Sequence, residues 1–519
     1  MDLASVRKLI QGSGLRVVGM LLTISVGFLL MPFLVHHLGD HLYGYWALVG
    51  AILGYYGVLD FGIVTSVEWH VAKAIGQRKS ETANRAISTA FFVFAFIGAI
   101  ILVSSIVVAL MADRFVSVSA DAVLFRKVVL ITGAGFAIGF PGRAFLGALS
   151  AHLRWDVIAV INQCALLLRT AVFIVIIEAG LGLVALAIVS VVIDLLSFAG
   201  FYLALCHVHR EFRLSRTLAT FPELRDLLSY SIFTFIIKMN DQLRLYIDPV
   251  VVTAFIGVSA VTHYAVGQRV SLAFREFMIS VLGMLAPWFG RLFGSRNFDS
   301  IRRVLELGTR ISVSLATTIT CLLLLYGRAF IESWMGKNYL DGYWVLFLLT
   351  AAAFFEASQF PSMSYLYGVS RHKYLACITL LEAGVNVGLS LYFVRLFGIA
   401  GVALGTAVPC LVVRLILQPI YICRHANVSL RRYYAELYGR TALVTALAVI
   451  VPWALFFRWL AQPRILTLAA VITGQCLLAI AAVYTLAFPS EDRSVIARAL
   501  RKAWTKPKTM STEECLHTA

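Results

Sequence analysis

Apolar stretches of about 20 to 28 residues recur along this chain from end to end, each long enough to cross a hydrocarbon core of about 30 Å as a helix. The 519 residues are 60% hydrophobic and 14% charged, outside the range of a soluble globular domain. Continuous apolar runs without polar alternation exclude barrel strands. About fourteen spans can be placed, centred near residues 26, 58, 99, 136, 167, 194, 242, 275, 316, 356, 385, 411, 448 and 476. The expected fold is therefore an all-α polytopic membrane protein. Residues 1 to 11 are polar and basic, and the apolar run behind them lacks a small-residue cleavage site, so the first span is expected to stay in the membrane. The eight cysteines stand singly without a C-x-x-C pair, which predicts packing residues rather than disulfides or a metal site. No G-x-x-x-x-G-K-[ST] loop is present, and neither bound ATP nor another cofactor is expected.

Charge sets the orientation. With the amino terminus on the cytoplasmic side, about 29 of the 44 Lys and Arg fall inside, about 8 outside and about 7 within spans. Both termini are expected in the cytoplasm. The net charge of +17 then reflects topology and anionic headgroups, and nucleic acid is not an expected partner.

The chain also repeats itself. A shift of 218 residues places Gly39 on Gly257, Gly76 on Gly294, Arg78 on Arg296, Arg85 on Arg303, Gly180 on Gly398, and Val184, Ala185 and Leu186 on Val402, Ala403 and Leu404. Ser150 and His152 meet Ser370 and His372 at a shift of 220. Two pseudo-symmetric six-helix lobes are expected at 1–206 and 227–424, joined by a basic cytoplasmic linker, 207–226, and followed by two extra spans, 425–488, and a basic cytoplasmic tail, 489–519. An even number of spans per half gives both halves the same orientation. That parallel-repeat arrangement occurs in transporters that bind substrate between the halves.

Leu38-Gly39, Tyr43-Gly44, Tyr55, the Leu59-Asp60-Phe61-Gly62 element and the basic turn near Arg78 resemble the amino-terminal pattern of bacterial polysaccharide-repeat flippases. These are the O-antigen and exopolysaccharide exporters of the multidrug/oligosaccharidyl-lipid/polysaccharide superfamily. The resemblance implies a V-shaped pair of lobes, not an enzyme, in the bacterial inner membrane. It implies a cargo of undecaprenyl-diphosphate-linked oligosaccharide, moved to the outer leaflet for surface polysaccharide, and assembly partners such as a polymerase. A cation-coupled multidrug exporter of the same superfamily is the main alternative. A peptidoglycan-precursor flippase fits less well, since no Lys or Arg follows Arg16 until Lys73. A membrane polymerase or glycosyltransferase would need a folded extramembrane site, for which the loop near 327–342 has little room.

Ionisable groups inside a span cost about 2.5 to 3.5 kcal/mol each on insertion scales and usually face a cavity or a partner. Asp60, Arg169, Asp194, Arg244, Arg275, Glu276, Glu356 and Glu382 fall near the estimated midplane, with Lys238, Asp241, Asp248, Arg269, Arg310 and Arg414 nearby. At about 100° per residue, Asp241, Arg244 and Asp248 share one face of the seventh span with Lys238 beside them. That stripe is either a cavity wall or a self-neutralising ladder. Tyr264, Gln268 and Arg275 share a face of the eighth span, while Arg269 points away. A guanidinium matches the oxygens of a diphosphate, which makes Arg244, Arg269 and Arg275 the candidate phosphate contacts. Trp46, Tyr56 and Asp60 lie on one side of the second span, where rings could stack on sugars or simply pack. Asp60, Asp241, Asp248 and Glu356 are candidate cavity acids or sites for a coupling proton or sodium ion. Pro32 and Pro249, late in the first and seventh spans, are candidate hinges or kinks. The small residues from Gly135 to Gly142 predict close helix packing.

Overall fold

The computed structural model describes residues 3–115, 119–282, 285–294, 298–369, 372–426, 428–457, 465–490 and 492–493. The expected tail, 489–519, lies almost wholly outside them. Every regular element among the described residues is helical, as backbone satisfaction in a hydrocarbon medium requires.

Hydropathy and length qualify nine described helices as spans, or ten if the bent pair Gly342–Ser358 and Phe360–Tyr367 is one. The shortfall against about fourteen has two sources. The runs Leu3–Tyr56 and His372–Val412 each fuse two helices across a break. The helices Phe221–Phe255 and Val258–Leu282 are long enough but carry the charges that lower their hydropathy.

The breaks fall where the internal register placed matching glycines. Gly39 and Gly257 have φ of 76° and 129°, and Gly180 and Gly398 have 70° and 58°. A Cβ is disfavoured at positive φ, so these junctions select glycine in both halves. A second matched pair is the Phe-Pro step. Phe140 and Pro141 interrupt the helices Ser119–Gly139 and Arg143–Ala151, and Phe360 and Pro361 open the helix that bends by 45° from Gly342–Ser358. Proline withdraws one backbone donor in each.

Internal contacts divide the chain into two compact units. One comprises Met1–Val281, Ile331–Phe355 and Arg371–Ile416; the other comprises Leu282–Phe330, Glu356–Ser370 and Leu417–Ala519. In the first unit, Ser80–Leu110 packs on Ser119–Gly139, which packs on Gly182–Val208, and His372–Val412 packs on Phe221–Phe255. Its core centres on Ile87, Phe94, Phe140 and Leu149, on Leu48, Phe125 and Leu186, and on Val252, Val261, Val345 and Val402. The small residues pack closely: a Cβ on Gly98 would stand 2.5 Å from the Ala137 carbonyl oxygen, and Gly139 and Gly142 seat Phe198. Inter-helix approach of this kind replaces the hydrophobic drive that lipid removes.

The linker is fastened rather than free. Asn84 Nδ2 donates to the Glu211 carbonyl at 2.7 Å, Ser88 Oγ bridges Arg213 and Ser215, and Thr89 Oγ1 accepts from the Thr220 amide. In the second unit, Arg302, Glu306 and Arg432 form an ion-pair chain, Arg310 pairs with Asp492, and Tyr326 bonds Gln475 above a core of Leu322, Val449, Leu468 and Ala479.

Candidate functional site

Three polar groups occupy the first unit, and each is assembled from helices far apart in sequence. The first lies at the junction glycines. His41 Nε2 is 2.8 Å from Asp121 Oδ2, and His263 Nδ1 is 2.8 Å from Asp341 Oδ1. Asp121 and Asp341 are 220 residues apart, so each half sets a histidine against a register-matched aspartate, although the register puts Ser259 opposite His41 and Tyr45 opposite His263. Asp40 then crosses between the halves. Its Oδ1 accepts the Tyr339 hydroxyl at 2.5 Å, its Oδ2 is 3.5 Å from His263, and its carbonyl accepts Thr262 Oγ1 at 2.7 Å. Gly44 permits this contact, because a Cβ there would meet the Val258 carbonyl oxygen at 2.2 Å. Trp334 Nε1 adds a bond to the Phe28 carbonyl at 2.7 Å.

The second group is buried in the carboxy-terminal half. Asp248 receives the Tyr264 hydroxyl at 2.5 Å and Thr406 Oγ1 at 3.4 Å, and Asn386 Nδ2 donates to Thr406 at 2.8 Å. Ser390 Oγ donates to the Val402 carbonyl alongside. Four residues before Asn386 and eight beyond Thr406, Glu382 and Arg414 pair at 3.4 Å with side chains 3% exposed. A carboxylate held by a phenol and by a hydroxyl that an amide orients in turn offers the oxygens that a proton or small hard cation takes.

The third group lies in the amino-terminal half. Asp60 ends a short turn, Gly57–Asp60, before Phe61 and Gly62 adopt positive φ of 50° and 73°. Its Oδ1 accepts the Val64 amide at 3.2 Å, capping the helix Ile63–Gly76, and its Oδ2 is 3.8 Å from Arg143 Nη1. Arg143 follows the Phe140–Pro141–Gly142 break and lies over the Phe140 and Phe136 rings at 4.7 and 5.5 Å. Arg169 and Asp194 form a second pair between Trp155–Glu178 and Gly182–Val208.

Arg269 reaches from the second half to the first span. Its Nη2 donates to the Thr23 carbonyl at 3.5 Å and occupies the space a Cβ on Gly27 would need. Gln268 and Arg275 are half-buried on the same helix, and Tyr264 is fully buried. The helix through Lys238, Asp241 and Arg244 is described, but their side chains lie outside the described residues. Trp46 packs edge-on to Phe173 at 5.7 Å, and Tyr56 is buried, accepting Ser105 Oγ at 2.9 Å. Glu356 is buried in the second unit. Pro32 and Pro249 sit inside continuous helix, their carbonyls contacted by His36 Nδ1 at 2.7 Å and Thr253 Oγ1 at 2.8 Å. Among the described residues no group of three or more His, Cys, Asp and Glu could hold a metal ion.

Sequence reasoning passed over Arg143, which sorts by position with the inner-side basic residues, and the neutral pair Asn386 and Thr406. It also passed over Asp40, His263 and Asp341. The match of Asp121 to Asp341 in the repeat register was the available signal for the last.

A family model described as polysaccharide biosynthesis protein matches residues 38–343. The membrane protein EpsK of Bacillus subtilis (strain 168) is 22% identical over 418 residues, covering 78% of this chain and 81% of its own. A Shigella flexneri protein named as an O-antigen transporter is 21% identical over 404 residues, covering 75% and 92%. Among solved structures, the lipid II flippase MurJ in an inward closed conformation aligns with TM-score 0.71 at 14% identity, covering 95% of this chain and all of that one. An inward-facing MATE family transporter of the MOP superfamily aligns with TM-score 0.63 at 14% identity, covering 79% and 96%. The two structures share the fold.

Proposed function

Because the chain belongs to the polysaccharide biosynthesis protein family, we propose that it is a flippase for lipid-linked oligosaccharide. It moves undecaprenyl-diphosphate-linked repeat units from the cytoplasmic to the outer leaflet of the bacterial inner membrane, for O-antigen or exopolysaccharide. It acts by alternating access and forms no covalent bond in the glycan. The observation that carries this reading is Arg269, a guanidinium lying where the second half touches the first span at Gly27. A planar cation at mid-span between two membrane halves suits a diphosphate in transit. The relatives named for O-antigen transport and lipid II flipping support the cargo class.

The Asp40, His263 and Tyr339 contacts close one end of the transport path and separate in the alternate state. Asp248 takes the coupling proton or sodium ion, since occupying it neutralises a buried acid that Tyr264 and Thr406 already hold in place. Both termini lie in the cytoplasm, and polymerase and other assembly proteins receive the delivered glycan. The test is a deletion strain. Surface polysaccharide should vanish while lipid-linked glycan accumulates on the inner leaflet, and the wild-type gene should reverse both. Normal delivery in the deletion strain would refute the reading.

A further inference from the structure

The Arg169 and Asp194 pair sits halfway along two spans, yet its side chains are 32% and 52% exposed. Lipid is not what they meet. On Gly182–Val208 the exposed apolar residues Ile188, Val192, Leu196 and Leu203 form one stripe. At about 100° per residue Asp194 lies about 165° round the helix from it. On Trp155–Glu178 the corresponding stripe is Val160, Leu167, Leu168 and Val175, and Arg169 lies about 150° away. Exposed Asn162 shares its side, two turns earlier. The same inward faces are packed shut towards both helix ends, by Ile158, Phe201 and Leu205 and by Phe173, Ile176, Leu183 and Leu186. Between those buried residues the chain places a charge pair that would be costly against hydrocarbon.

The matching helices of the other half carry their ion pair, Glu382 with Arg414, at a different level. In the repeat register Arg169 corresponds to Val387 and Asp194 to Val412, so the other half joins its matching helices there without charge. The guanidinium is under-used as well. Of its five N–H donors, the hydrogen bond to Asp194 engages one at Nη2, and Nε is buried without a partner.

Resting on the flippase reading, we infer that Arg169 is an anion-binding residue in the interior of the amino-terminal half, taking the prenyl diphosphate headgroup of the cargo, with Asp194 and Asn162 beside it to accept and donate hydrogen bonds to the first sugar. Asp194 holds the guanidinium in the empty state and yields it to the diphosphate oxygens, so that bound cargo exchanges one anionic partner for another.

The full-length protein in nanodiscs is titrated with farnesyl diphosphate, farnesyl phosphate and farnesol. Wild type should prefer the diphosphate. R169V/D194V, which copies the residues of the other half, should keep its melting temperature, bind farnesol unchanged and bind the diphosphate at least tenfold more weakly. Asp194→Asn, which leaves the cation and removes its competitor, should bind the diphosphate as tightly as wild type or more so. Undiminished diphosphate binding by R169V/D194V would make the pair structural and overturn the inference. So would a tenfold loss in Asp194→Asn, which also serves as the deciding variant should the double change not fold. Wild type that binds diphosphate no better than farnesol would overturn the flippase reading along with it.

Discussion

The two register-matched stretches share their junction glycines and Phe-Pro steps and almost nothing of their polar interior. Asp248, Tyr264, Asn386 and Thr406 are joined in the second half; in the first half their register mates are Leu30, Trp46, Leu168 and Ile188. Asp60 and Arg143 face each other in the first half, where the second half has Met278 and Met363. Each half ties its fifth and sixth helices with one ion pair, but at different levels. Glu382 and Arg414 correspond to Cys164 and Leu196, just as Arg169 and Asp194 correspond to valines. Polar networks have thus been exchanged for apolar packing as whole units. A buried group deprived of one partner is costly, while an apolar replacement of both is nearly neutral. What stayed common to both halves is what the backbone requires, namely the junction glycines and the Phe-Pro breaks.

The sharpest way to break this comparison is to trade a network for its mate. Glu382→Ala should destabilise the protein by about 3 to 5 kcal/mol, because Arg414 loses its buried carboxylate. Glu382→Cys with Arg414→Leu, the residues of the first half, should recover most of that loss in thermal unfolding of the detergent-solubilised protein. A double variant as unstable as the single one would mean that the exchange is not modular. Next in size is Gly44→Thr, which gives the first half the residue its mate Thr262 carries. Overpacking against the Val258 carbonyl should cost about 1 to 3 kcal/mol and should raise severalfold the thiol-reagent labelling of a cysteine placed at Ser259. Unchanged labelling would show that the Asp40 contacts do not close that end.

A similar exchange applies to Asp60. Arg143→Met alone should cost about 1 to 3 kcal/mol by removing a partner of a buried carboxylate, and adding Asp60→Met should restore part of it. No recovery would make the Asp60 cap on Val64 the dominant role. The smallest effect is one of pH. His152 and His209 lie 5.2 Å apart between ring centres in the turns outside the spans, and the register gives Asn427 in place of the second. Burial holds both imidazoles below the ordinary value of 6.5, with His209 adding to the effect on His152 and Glu211 offsetting part of that on His209. The folded chain therefore binds fewer protons than the unfolded chain near that pH. Stability is greatest above about 6.5 and falls as the pH drops through it. The melting temperature should be lower at pH 5.5 than at 7.5, and His209→Gln should flatten that slope.

The opening stretch of the family pattern shows how far the sequence could be read. Gly39 was legible as a junction because only glycine tolerates its φ, and Gly257 repeated it. Asp60 was legible as an intramembrane acid, but its partner was not. Arg143 stands far from it in the chain and was hidden among inner-side basic residues until the Pro141 break brought it alongside. Tyr56 shares the side of Asp60 on a helical wheel, yet it packs in the core with its hydroxyl bonded to Ser105. A helical wheel reports which residues share a face and cannot report what lies opposite.

Sequence alone determined the membrane class, the helices and the repeat, because hydrocarbon thickness and backbone hydrogen bonding admit few solutions and write them as long apolar runs and matched glycines. Only the tertiary structure decided which charges meet. A side chain's partner is set by helices that are distant in the chain and within about 4 Å in space, and so the pairing of Asp60 with Arg143, of Asp40 with Tyr339 and of Asp248 with Thr406 had no local signature to read.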